Sequence, residues 1–162
     1  VWDYARWYSK KYEGSFSYPA DFVGYNVPLE KAFSCYEVNS METPYDEEMV
    51  GILDSLRPER SEGYLIGTES LDGSIFEHEM AHALYYTDEE YRSEMDSITR
   101  SLSDHARRSL SENLVRLWYW KGVVRDEIQA YMSTEINEEV CKGLRNRRDL
   151  HRRYRRVFRR FR

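Results

Sequence analysis

The sequence has no run of apolar residues long enough to cross a bilayer, and its opening stretch, VWDYARWYSKKYEG, carries charges where a signal peptide has its apolar centre. No transmembrane helix is expected. The chain starts at Val1 and not at Met, which points to a processed product or a piece of a larger protein. Cysteine is nearly absent: Cys35 and Cys141 alone cannot form the disulfide framework of a small secreted domain. A reducing, cytoplasmic setting fits slightly better, with a single bridge between the two left open. Internal repeats are missing at the usual periods, which excludes a solenoid or propeller. Histidine is also scarce, four in 162 residues, so an accidental H-E-x-x-H would arise in only about one such chain in a hundred.

What is present fits one folded domain, residues 1–162. Hydrophobic residues make up 41% and aromatic residues 15%, with 14 Tyr and 4 Trp to fill a core. The net charge of -5 conceals a strong polarity. Lys142 to Arg162 holds eleven basic residues against the single acid Asp149, or +10, which leaves -15 on residues 1–141.

Periodicity predicts a mostly helical α+β fold. Trp2, Ala5, Tyr8 and Tyr12 suit a first helix; Phe16 to Pro28 reads as an ordered loop with short extended pieces; Ala32 to Val38 alternates like a strand. Thr43 and Pro44 suit the start of a helix carrying Met49, Ile52, Leu53 and Leu56 and ending before Pro58. Tyr64 to Thr68 is a compact strand. Ser74 and Glu77 form a capping box ahead of a helix from about Ile75, which places a small sheet in front of it. Asp88 caps the next helix, with Tyr91, Met95, Ile98 and Leu102. Ser103 caps another, with Leu110, Leu114, Leu117 and Trp118 as its stripe and Gly122 at its end. Val123 to Thr134 is a further helix. The basic segment 137–162 is the last, broken near Gly143.

Within the helix from Ile75 lies FEHEMAHALYYT. His78 and His82, four apart, share one helical face and can reach one metal ion, with Glu79 beside them as a base. Catalytic zinc needs a third protein ligand. Glu127 ranks first, because it falls on the apolar face of its helix with Val124, Ile128 and Tyr131, where a carboxylate is costly unless paired or metal-bound, while Asp126 points roughly the opposite way. Asp88 has the spacing of the H-E-x-x-H-x-x-G-x-x-H/D ligand, but Tyr85 replaces the turning Gly. His105 sits among surface charges. Cys35 lacks the Gly-rich and E-G-C motifs that accompany an upstream Cys ligand in peptide deformylases.

A strand, a helix with H-E-M-A-H and a Glu on a later helix together resemble the zincin metallopeptidases in their gluzincin arrangement, over about Gly63 to Thr134. The resemblance implies Zn²⁺ on His78, His82 and Glu127. It implies Glu79 as general base for a zinc-activated water, and hydrolysis of a peptide or protein substrate paired in extended form with Tyr64 to Thr68. Tyr131 is the first choice to face the oxyanion, followed by Tyr85, Tyr86 and His105. One departure matters: the Asp of the gluzincin E-x-x-x-D is replaced by Tyr131, so the carboxylate that should orient a ligand histidine has no assignment.

Two other readings remain: a zincin-shaped binding module whose metal is structural or lost, and a protein that binds nucleic acid or an acidic partner through Arg145 to Arg162. Against the latter, Leu150, Tyr154, Val157, Phe158 and Phe161 form one stripe that can pack on the acidic body, with the arginine stems lying around it.

Overall fold

The computed structural model describes residues 9–10, 24–38, 44–59, 61–71 and 73–162. Apart from helical Ser9 and Lys10, the expected helix from Trp2 to Tyr12 lies outside the described residues, as do Thr43 and the loop from Phe16 to residue 23. The fold is mostly helical with one small sheet, as the periodicity predicts. The elements are β1 (Gly24–Pro28), α1 (Leu29–Val38), α2 (Pro44–Ser55), a 3-10 turn (Arg57–Glu59), β2 (Tyr64–Thr68), α3 (Ser74–Thr87), α4 (Glu89–Arg100), α5 (Asp104–Arg116), α6 (Val124–Thr134) and α7 (Arg147–Phe161).

β1 and β2 pair antiparallel, with Asn26 opposite Ile66 and Val27 opposite Leu65. Because side chains alternate across a strand, the two faces do different work. Val27 and Leu65 pack with Leu29, Phe33 and Leu53 in a small cluster with α1 and α2. Gly24, Asn26 and Tyr64 face α3. Gly24 is required there: a Cβ would come within 2.6 Å of Ile75 Cγ2 and 3.0 Å of Glu79 Oε1.

The larger core is built by α3 to α7 around Ala81, Tyr91, Met95, Leu110, Leu114, Ile128 and Met132. Into it α7 drives Leu150, Tyr154, Val157 and Phe158, each worth about 1.5–3 kcal/mol on burial. The last helix therefore packs on its own chain, and Tyr154 bonds Thr99 Oγ1 at 2.9 Å from inside the core.

Several expectations are corrected. Ala32 to Val38 belongs to α1 and not to a strand: Leu29, Ala32 and Phe33 are the buried positions, spaced by three and four, so the helical period prevails over the short alternation. The extended piece that matters lies just before it, in β1. Ser74 is the first residue of α3 and no capping box forms; Gly73, at φ +153°, is the N-cap, and Glu77 turns to Arg155 and Arg162 instead. α5 stops at Arg116, well before Gly122, so Leu117 and Trp118 are exposed, Trp118 at φ +74°. The basic segment becomes regular helix only at Arg147, because Gly143 takes φ +83° and residues 137–146 turn.

Candidate metal centre

The site lies where α3 packs along α6. His78 and His82 stand one turn apart on α3, and their Nε2 atoms approach to 3.2 Å. Glu127, in the first turn of α6, brings Oε2 to 3.7 Å from each Nε2. Among the described residues these three make up the group able to share one ion, their ligand atoms all lying within 4.8 Å of one another. Glu127 is therefore the third member, as its position on the apolar face of its helix suggested. Asp88 instead caps α4, accepting from Tyr91 N at 2.8 Å. His105 is exposed at the start of α5, and Cys35 is exposed on α1; neither belongs to the group.

The donor set fits a divalent metal on three grounds. Glu127 Oε2 is buried and has no hydrogen-bond partner, an arrangement that costs several kcal/mol by order of magnitude unless a cation compensates it. Two imidazole nitrogens and one carboxylate oxygen are also the ligand types that zinc takes in catalytic sites. Finally, His82 Nδ1 lies 2.8 Å from Asp126 Oδ1, so Nδ1–H donates to the carboxylate and the lone pair of neutral His82 stays on Nε2, toward His78 and Glu127.

Asp126 therefore does not point away from the site. A wheel places neighbours about 100° apart, but an imidazole has a nitrogen on each side of its ring, and adjacent carboxylates on α6 reach both. Asp126 thus supplies a carboxylate to the outer nitrogen of His82, the contact for which the sequence offered no candidate. It is held in turn: Gln129 Nε2 donates to Asp126 Oδ1 at 2.9 Å and to the Ala81 carbonyl at 3.1 Å, while Tyr91 donates to Gln129 Oε1 at 2.7 Å. Burial works against a charged His82, but the Asp126 hydrogen bond and the charges of Asp126, Glu127 and Glu79 outweigh it and raise the pKa. Asp126→Ala should weaken zinc binding about 10–100-fold while sparing the ligands, a loss readable by competition with a chromogenic chelator.

Glu79 is buried, and its Oε2 accepts a hydrogen bond from Asn26 Nδ2 on β1; Tyr64 on β2 donates its hydroxyl to Asn26 Oδ1. The sheet thus holds the Glu79 carboxylate in place through two side chains. Sequence reasoning missed Asn26, since a contact across 53 positions leaves no periodic trace. Burial raises the pKa of Tyr64, as do the charges of Asp126 and Glu79.

Tyr131 packs its ring edgewise on His78, centroids 4.6 Å apart, and its hydroxyl is 2.8 Å from that of Tyr119. Burial raises the pKa of both tyrosines, with the charge of Glu127 adding to it, so both remain protonated donors. One hydroxyl proton joins the pair, and the other has no acceptor among the described residues. Tyr85 is committed elsewhere, donating to Asp96 at 2.7 Å. Tyr86 is exposed and leans on Tyr64, centroids 5.4 Å apart.

Comparison with protein-family models, curated proteins and solved structures finds no match. No described helix is long and apolar enough to cross a membrane.

Proposed function

We propose that the chain is a metal-dependent hydrolase whose ion sits between α3 and α6. More particularly, we read it as a zinc peptidase of zincin type. The observation that carries this reading is the buried, unpartnered Glu127 Oε2, 3.7 Å from two imidazole nitrogens. Zn²⁺ held by His78, His82 and Glu127 supplies a Lewis acid for the substrate carbonyl and lowers the pKa of water in the site. Glu79, fixed by Asn26, takes a proton from the attacking water at its carboxylate and returns it to the leaving amine. Tyr131, with Tyr119 behind it, donates a hydrogen bond to the oxygen on which negative charge develops. A peptide in extended form lies along β2, which among the described residues pairs only with β1.

The test is metal content with cleavage. The purified chain should hold about one equivalent of zinc and cut members of a peptide library; chelation should end cleavage, and added zinc should restore it. Tight zinc with no cleavage of any peptide would instead make the domain a binding module.

A further inference from the structure

The arginines of α7 divide into two sets once their surroundings are known. Those on the flanks are committed. Arg155 donates to the Ser133 and Thr134 carbonyls, at 3.2 and 2.6 Å, and reaches Glu77; Arg162 also pairs with Glu77. On the other side Arg160 pairs with Glu94, and Arg153 donates to Ser101 Oγ at 2.8 Å. These contacts account for packing on the acidic body.

They leave the crest unexplained. Arg148, Arg152, Arg156 and Arg159 follow one another at intervals of four, four and three, the spacing of one helical face, and Arg145 lies in the turn that precedes α7. That face lies opposite the buried stripe of Leu150, Tyr154, Val157 and Phe158. All five arginines are exposed. Among the described residues Arg145, Arg148, Arg156 and Arg159 have no carboxylate partner, and Arg152 has only the exposed Asp149. From Arg148 to Arg159 the row runs roughly 16 Å at 1.5 Å per residue.

We propose that this crest binds the phosphate backbone of nucleic acid, without regard to base sequence. Such a ligand needs only a line of cations, and arginine forks match phosphate oxygens. An amphipathic helix lying in a membrane must present its apolar face to lipid, and here that face is inside the core. A stable protein partner would usually bury an apolar centre in its interface, and no large hydrophobic side chain of α7 is exposed. The inference is independent of the peptidase reading.

The experiment is fluorescence anisotropy of the full chain with a labelled duplex oligonucleotide and a labelled single strand across a salt series. Vesicles of phosphatidylserine and phosphatidylcholine serve as the competing probe. With five contacts, log affinity should fall against log salt with a slope of about -4.5 on the duplex. The combined variant Arg148→Gln, Arg152→Gln, Arg156→Gln and Arg159→Gln should reduce that slope to about -1 and keep native circular dichroism, since the one ion pair it removes, Arg152 with Asp149, is exposed on the surface. Arg160→Gln, on the flank, should leave the slope unchanged. No binding at low salt, an unaltered slope in the combined variant, or binding to the vesicles without binding to either oligonucleotide would overturn the proposal.

Discussion

Glu79→Gln is expected to keep zinc at the wild-type stoichiometry and to lose peptide hydrolysis by a factor of about 10²–10⁴ or more, the range for removal of a general base. The exchange preserves shape, and the amide oxygen of the new side chain can still accept from Asn26 Nδ2, so the link between β1 and α3 survives. Only the capacity to take a proton goes. Asn26→Ala should give a milder form of the same defect, lowering kcat with zinc retained, because the carboxylate then loses its support while keeping its chemistry. Steady-state kinetics on one cleaved peptide, with zinc measured on the same samples, decides the matter. Hydrolysis at the wild-type rate in Glu79→Gln would remove Glu79 from the mechanism.

Loss of the third ligand should be just as plain. Glu127→Ala is expected to weaken zinc binding by more than about 100-fold, beyond the range for partners that merely orient a ligand. Asp88→Ala and His105→Ala should bind as the wild type does, since one caps α4 and the other lies exposed on α5. Thermal unfolding gives an independent reading. Without metal, Glu127→Ala should be at least as stable as the wild type, because it removes a buried oxygen with no hydrogen-bond partner. With zinc at a thousand times the wild-type Kd, the wild type should gain about 4 kcal/mol and Glu127→Ala no more than about 1.4 kcal/mol. A variant that unfolds earlier than the wild type without metal and still binds zinc tightly would show that Glu127 has a structural role and is no ligand.

How much of this was legible in the sequence depends on how far a signal must travel. His78, Glu79 and His82 sit within one turn, and the helix that presents them announces itself by period. Asp88 and Ser103 were readable as caps because a cap acts three residues away. Glu127 was readable through the cost of a carboxylate on an apolar face. What stayed hidden crosses between elements: Asn26 on Glu79, Tyr119 on Tyr131, and above all Asp126, dismissed by a wheel that treats each side chain as a spoke. β1 was hidden for another reason. Its five residues include Gly24 and Pro28, and its alternation shows only once Asn26 and Val27 are seen to face opposite sides. The arginine crest was visible as a pattern, but whether each cation already had a partner required the neighbouring helices.

The division of the interior into two clusters carries one last consequence. All three members of the candidate metal group stand on α3 and α6, which help build the larger cluster, whereas Asn26 belongs to a sheet whose far face is held by the smaller one. Regions with less buried apolar surface open more readily than the global fold does. A partial opening confined to the sheet, α1 and α2 would then free Glu79 while leaving His78, His82 and Glu127 assembled. Under the proposed peptidase reading, support of the base and retention of the metal are thus separable by local melting, and the sheet is the place where a change elsewhere in the molecule would silence the site without emptying it.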